Sequence, residues 1–296
     1  MDAMKQVALG PMTVEKVWEM DGALPMEMVL PGVTAADLAT LKRWHWSDEL
    51  DPDPAKAQFK LSIHSYVLRL DGLTVLVDGC NGNHKSRSVP MADGLDLPWL
   101  ERLGALGLAP GDIDLVLCTH LHADHVGWNT RLADGRWVPT FPNARYVFSR
   151  ADYEHWQGAG EEGFHREAFL DSVLPVVEHG LADLVESDHV VHREIGDGIW
   201  LEDCHGHSPG SVLIHAARGG AHGLFTGDCF HHPVQLVRPD LAFFADEDGA
   251  QASIQRRRVL EAHADRDTVL FPAHFGGRSA GRVRRDGTAF AFDFVG

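Results

Sequence analysis

A layered α/β fold, with two sheets inside and helices outside, is predicted by three features of this 296-residue chain. Short runs rich in Val, Leu and Ile end abruptly at Gly, Asp or His, as buried strands do. Strands come first and then mix with helices, an order that suits sheets covered by helices. No linker, repeat or low-complexity stretch marks a boundary. Residues 1–296 therefore read as a single domain, with residues 1–55 as an N-terminal extension packed on it.

The elements follow in order. Two short strands are expected near 6–20, then a helix at about 34–45, opened by Thr34 with Asp37 three residues on, a capping-box pattern. KLSIHSYVLRL (60–70) and LTVLVDG (73–79) read as strands joined by a turn at Asp71-Gly72. A helix at about 97–106 has Pro98 in its first turn, and IDLVLCT (113–119) is a buried strand. RYVFS (145–149) is another strand; Ser149 with Asp152 starts a helix through Trp156, and a helical pattern occupies about 165–178. Strands near 190–193, 199–203, 211–217 and 222–227 are separated by turns. A helix at about 249–264 leads into the strand TVLFPAH (268–274).

The 26 Lys+Arg against 43 Asp+Glu give a formal net charge of −17, which argues against nucleic acid or an anionic membrane as partner. The local basic runs, RRR at 256–258 and RVRR at 282–285, read as solvated faces. No signal peptide or membrane-length apolar stretch is visible, and no C-x-x-C occurs among Cys80, Cys118, Cys204 and Cys229. Those cysteines read as small buried filler in a reduced cytoplasmic setting. The anomaly is the 19 His.

Seven histidine and carboxylate positions stand out at strand ends. CTHLHADHVGWN (118–129) holds His120, His122, Asp124 and His125 directly after an apolar run. Two residues apart on a strand end, His120 and His122 point to the same side. A turn at Ala123 then brings Asp124 and His125 round. Imidazole and carboxylate suit Zn²⁺ or a similar first-row ion, and a cation removes the penalties of crowding them. HGHSPGS (205–211) offers His207, LFTGDCFHHP (224–233) offers Asp228, and LFPAHF (270–275) offers His274.

With H-x-H-x-D-H, G-H-S-P-G, T-G-D and the late A-H in this order, the chain resembles the metallo-β-lactamase superfamily over about residues 55–275. The resemblance implies a four-layer αβ/βα sandwich with a metal site at one edge of the sheets. It also implies two divalent metal ions, Zn²⁺ by default, with Mn, Fe or Co fitting the same ligands. His120, His122 and His207 would hold the first, Asp124, His125 and His274 the second, and Asp228 would bridge them. The family's ligand is the His directly after Gly, hence His207 and not His205. Asp78, in LVDG, would accept a hydrogen bond from a ligand imidazole.

Such a pair activates a shared water as hydroxide and polarises the bond under attack, so the implied reaction is metal-assisted hydrolysis. Asp124 would carry a proton to the leaving group. Asp228 argues against β-lactamase activity, since true β-lactamases of the family lack the bridging aspartate. GDCFHHPVQ (227–235) and DEDGAQASIQRRRVL (246–260) are similar to the lactonase and methyl parathion hydrolase-like branch. The best-known homoserine lactonases carry Tyr where His231 stands, which directs the reading to lactones and small carboxylic esters in general. His231 is the candidate for a hydrogen bond to the substrate oxygen or the activated water. Trp128, Phe230 and His232 are candidates to line the pocket, and Trp44-His45-Trp46 to reach over it or cover a homodimer surface. The runner-up is an organophosphorus or aryl phosphotriester hydrolase. A thioester hydrolase, a mononuclear iron dioxygenase and a non-catalytic metal-binding protein rank lower.

Overall fold

The computed structural model describes residues 4, 6–43, 50–160 and 164–296. Its first sheet draws on β1 (Val7–Leu9), β2 (Met12–Pro25), β3 (Gln58–Leu70), β4 (Leu73–Val77) and β5 (Leu115–Leu117). A separate hairpin, β6 (Thr130–Ala133) and β7 (Arg136–Pro139), precedes β8 (Arg145–Ser149) and β9 (Ala182–Val185). The strand order is β1-β2-β3-β4-β5-β8-β9, antiparallel as far as β4 and parallel from there. The second sheet runs in chain order: β10 (Val190–Glu194), β11 (Asp197–Asp203), β12 (Val212–Arg218), β13 (Ala221–Gly227), β14 (Val269–Pro272), β15 (Gly281–Asp286) and β16 (Ala289–Phe294). Only β13 and β14 pair in parallel within it.

Alternation along the strands creates the layers. Val75, Val77, Leu117 and Val147 of the first sheet meet Ile199, Ile214, Phe225 and Phe271 of the second in a central core. The intervening residues point outward. Leu76, Val116, Tyr146 and Phe148 pack beneath helices, against Trp99, Leu103, Trp156 and Phe169. Leu213, Leu224 and Leu270 do the same against Leu38, Leu41, Val259 and Leu260. The result is helix, sheet, sheet, helix, the four-layer sandwich that the resemblance implied. The N-terminal segment contributes β1 and β2 to one sheet and the helices Met26–Val29 and Ala35–Arg43 to the outer face of the other.

Local chemistry explains the element ends. The Thr34–Asp37 capping box forms, with Thr34 N–H donating to Asp37 Oδ2 and Asp37 N–H to Thr34 Oγ1. Asp71 and Gly72 both take positive φ, as a two-residue hairpin turn requires. Pro98 caps the helix Trp99–Ala105 from outside its first turn. The helical run expected at 165–178 divides into Phe164–Ala168, a π turn at Phe169–Val173 and Leu174–Glu178, where Pro175 lacks the N–H needed for an unbroken ladder. All four cysteines are buried and free. No helix among the described residues is long and apolar enough to cross a membrane. Trp44-His45-Trp46 and the predicted helix end near residue 45 lie outside the described residues.

One basic run is corrected. Arg256 is fully buried, its Nε and Nη1 donating to three backbone carbonyls, while Arg284 and Arg285 do face solvent.

The outer face of the second sheet carries a histidine chain. Glu202 Oε2 accepts from His215 Nε2 (2.9 Å), His215 Nδ1 lies 3.0 Å from His222 Nε2, and Thr268 Oγ1 sits between His222 Nδ1 (3.0 Å) and His263 Nδ1 (3.3 Å). Burial holds His222 and His263 down at about 4 against an ordinary 6.5. The unfolded chain therefore binds more protons between these values, so folded-state stability is full above about pH 6.5 and falls as pH drops toward 4. The melting temperature of the protein should decline over that window. His222→Gln should flatten the decline, and an unchanged slope would count against this origin.

Candidate metal centre

The ends of β4, β5, β13 and β14 converge at one edge of the sandwich, where parallel strands present their carboxyl termini. β4 ends at Asp78, held at φ 60. Its carboxylate accepts from the backbone N–H (2.8 Å) and hydroxyl (2.9 Å) of Thr119, which fixes the loop after β5. That loop reaches the second sheet through Val212 N–H, which donates to Thr119 O (2.9 Å).

The seven ligand candidates come together there. The side-chain donor atoms of His120, His122 and His207 lie within 4.8 Å of one another, as do those of Asp124, His125 and His274. Asp228 stands between the triads: its carboxylate is 3.2 Å from His207 Nε2, 3.3 Å from His125 Nε2, 3.1 Å from His274 Nε2 and 3.9 Å from His120 Nε2. His205, by contrast, is exposed on Asp203.

Each imidazole is aimed by a partner behind it. His125 Nδ1 donates to Asp78 Oδ2 (3.0 Å), His207 Nδ1 to Asp246 Oδ1 (2.9 Å) and His274 Nδ1 to the carbonyl of Ser62 (3.2 Å). His120 Nδ1 lies 3.1 Å from Thr119 Oγ1, whose proton goes to Asp78. These bonds leave Nε2 of all four as the lone-pair nitrogen facing the centre. His122 uses the other nitrogen: its Nδ1 is 2.9 Å from His207 Nε2, and its ring stacks on His165.

Charge and hydrogen bonding both call for cations. His120 Nε2, His125 Nε2 and Asp228 Oδ1 are buried with no hydrogen-bond partner, a state that native proteins rarely leave unexplained. Burial pushes the His207 imidazole down, but the Asp228 and Asp246 carboxylates outweigh it and hold it up at about 9. His125 and His274 are likewise raised, burial being overcome by Asp228 and Asp124. Burial pushes His120 and His122 well down, reinforced by the imidazoles around them. The Asp228 carboxylate is penalised by burial, yet the surrounding imidazoles bring it well below the usual range. Divalent ions fit this donor set, since one cation satisfies several lone pairs and the carboxylates at once.

His231 also faces the centre. Its Nε2 is 3.1 Å from Asp228 Oδ2, and its ring stacks on Phe243 at 3.7 Å. Three lining candidates are corrected. Trp128 is core: it stacks on Trp99 and gives its indole N–H to Glu19 Oε1 (2.8 Å). Phe230 is buried in the apolar cluster with Leu236, Leu260 and Phe275. His232 turns to Phe59, and its Nδ1 accepts from Val234 N–H.

Sequence reasoning missed three supports. Asp152, read as a helix cap, is a buried strut that accepts from Leu121 N–H (2.9 Å), Ser208 Oγ (2.8 Å) and Gly210 N–H (2.6 Å), tying the loop of His120 to that of His207. Asp246 lay in a quoted motif without a role, and His165 had no neighbouring signal.

Residues 60–274 match the profile of the family described as the Metallo-beta-lactamase superfamily. An N-acyl homoserine lactonase of Bacillus cereus is 31% identical over 175 residues, 58% of this chain and 60% of that protein. The match thus spans about three-fifths of that relative's length. The N-acyl homoserine lactonase AttM of Agrobacterium fabrum is 36% identical over 75 residues, 24% of each chain. Among solved structures, the hydrolase AbOPH of the beta lactamase superfamily superposes with TM-score 0.79 at 20% identity, over 100% of this chain and 98% of that one. AidC, a dizinc quorum-quenching lactonase, gives TM-score 0.75 at 18% identity, over 99% and 98%. At such identities the structural likeness speaks for the fold alone.

Proposed function

The chain belongs to the metallo-beta-lactamase superfamily, and from that premise we propose that it is a dinuclear metal-dependent hydrolase of lactones or small carboxylic esters. The observation that carries this reading is the buried constellation around Asp228, with two triads of donor atoms on either side of one carboxylate. His120, His122 and His207 would hold one cation, Asp124, His125 and His274 the other, with Asp228 shared. When bound, the pair supplies a Lewis acid and a hydroxide at neutral pH.

The chain's own residues do the rest. Asp78, Asp246, Thr119 and Ser62 fix the tautomers of His125, His207, His120 and His274, so none of these four imidazoles has to reorient during turnover. Asp124 is the ligand candidate with the most solvent contact, its side chain 21% exposed. The imidazoles of His125 and His274 overcome its burial and keep it ionised, so its carboxylate can take a proton and pass it to a leaving alkoxide. Burial holds His231 down at about 4 against the pull of Asp228. A neutral imidazole there serves as hydrogen-bond donor to a substrate oxygen without adding charge.

Lactones are favoured over other esters by the lactonase relatives and by an apolar wall beside His231. Phe243 stacks on His231, and Phe244 meets Phe243 edge-on while remaining 57% exposed. Phe244 N–H donates to Val29 O (2.9 Å), which fixes its backbone against the residue that follows Met28, itself 49% exposed. Such a wall suits an alkyl or acyl substituent. Phe244→Ala should therefore lower kcat/KM about tenfold on long-chain lactones, the effect of uncovering about half a Phe side chain, and leave short-chain lactones within about twofold. Equal losses on both would remove Phe244 from substrate recognition.

The reading is tested on metal-analysed protein with γ-lactones, homoserine lactones, aryl esters and an aryl phosphotriester. About two cations per chain and lactones ahead by orders of magnitude are expected. A phosphotriester ahead of every lactone would overturn the substrate assignment, and metal without turnover would overturn the enzyme.

A further inference from the structure

Arg256 is a buried cation that the reaction outlined above does not use. Its Nε donates to Cys229 O (2.8 Å), and its Nη1 to Pro239 O (2.9 Å) and Leu241 O (2.8 Å). Its Nη2 has no hydrogen bond and lies 3.7 Å from Asp246 Oδ2, both side chains being 0% exposed. Two of these partners adjoin the metal centre directly. Cys229 follows Asp228 in the chain, and Asp246 accepts the Nδ1 proton of His207 through its other oxygen. Asp246 Oδ2 also accepts from Phe243 N–H (2.8 Å), so one carboxylate fixes both the ligand imidazole and the aromatic under His231.

We propose that Arg256 is a positioning residue that clamps the His207 and Asp228 segments together and so sets the affinity of the cation held by His120, His122 and His207. The inference rests on the metal-centre reading given above. Its physical basis is the planar fork. The guanidinium donates to three carbonyls and presents its remaining edge to a carboxylate in a fixed direction, whereas a lysine ammonium is a point charge with three rotatable donors. The fork orients Asp246, and Asp246 orients His207. The other triad meets this clamp only at the shared Asp228, since His125 is held by Asp78 and His274 by the carbonyl of Ser62. The clamp therefore predicts unequal loss of the two cations.

The test uses the full chain loaded with zinc and titrated with a chelator, counting zinc retained per chain, with the melting temperature of the zinc-free protein measured in parallel. The wild type should retain two zinc ions over the lower range of chelator. Arg256→Lys and the isosteric Asp246→Asn should each release one zinc at about 10- to 100-fold lower chelator, the usual effect of losing a ligand's partner, while the second is released as in wild type. A role confined to packing would lower the melting temperature of the zinc-free protein and leave the chelator curves unchanged, which overturns the proposal; so does parallel release of both ions. Should Arg256→Lys not fold, Asp246→Asn decides alone, because the clamp reaches His207 only through Asp246. A wild type that holds no zinc would instead overturn the underlying reading.

Discussion

Asp228→Ala should lower kcat/KM by at least about a thousandfold and reduce bound metal below two equivalents. Among the described residues, the carboxylate is the one anionic group within 4 Å of imidazoles from both triads and of His231. Its charge is what raises His125, His207 and His274 against burial. Without it, six buried histidines share a centre from which the shared counter-charge has gone, and the cations would lose the ligand common to both triads. Lewis-acid stabilisation supplies several kcal/mol, and each 1.4 kcal/mol is tenfold in rate, which sets the scale. Asp228→Asn keeps the volume and one oxygen but not the charge, so it should retain more metal than the alanine variant and still lose most activity. Metal analysis beside steady-state kinetics checks both. Full turnover with two bound cations in the alanine protein would refute the shared role of Asp228.

Much of this was legible in the sequence because the ligand candidates sit at the ends of apolar runs. A buried parallel strand such as LVL (115–117) is continuous and apolar, and it stops where the polar site begins. The strands that sequence reading missed are peripheral. β9 and β16 are sheet edges, β6 and β7 form a hairpin of their own, and β15 sets Arg282, Arg284 and Arg285 around the buried Val283. Their patterns owe more to pairing partners than to the core, which takes Val185 of β9, Val283 of β15 and Phe290 and Phe292 of β16. The same distinction runs through the site. His120, His122, Asp124 and His125 declare themselves by proximity in the chain. Asp152 serves Ser208, 56 residues away, and Asp246 serves His207, 39 away; neither relation leaves a local trace. Adjacency also misled. Phe230, His231 and His232 are consecutive after the Asp228 turn, but only His231 faces the carboxylate, because the chain bends through them into the helix Val234–Val237 and turns each side chain to a different side.

A second large effect is expected at Gly127, and it concerns how the loop of His125 is seated. Gly127 has an ordinary helical φ of −55, so alanine would meet no conformational penalty there. Space is the constraint: a Cβ would stand 1.8 Å from Asn81 O and 1.9 Å from Asn81 C. The two segments are backbone-to-backbone, with Gly127 N–H donating to Cys80 O (2.7 Å) and Trp128 N–H to Gly79 O (2.6 Å). Neither can retreat easily. The buried Glu19 carboxylate accepts from Asn81 N–H (3.0 Å), Gly82 N–H (3.1 Å) and the Trp128 indole (2.8 Å), binding both sides of the contact to β2. Relief of the clash therefore breaks several buried hydrogen bonds besides the packing. Overpacking alone costs about 1–3 kcal/mol, and each buried group left unpaired adds about as much. At roughly 2–4 °C per kcal/mol for a chain of this size, Gly127→Ala should melt about 10 °C or more below wild type. His125 O accepts from Gly79 N–H across the same contact, so the displaced loop should also hold its cation less tightly. Gly158→Ala supplies the control, since nothing lies within 4 Å of a Cβ there, and it should melt within about 2 °C of wild type. If both variants melt alike, the contact between the Asp78 and His125 segments yields cheaply, and the rigidity attributed to this wall of the metal centre must come from the imidazole partners alone.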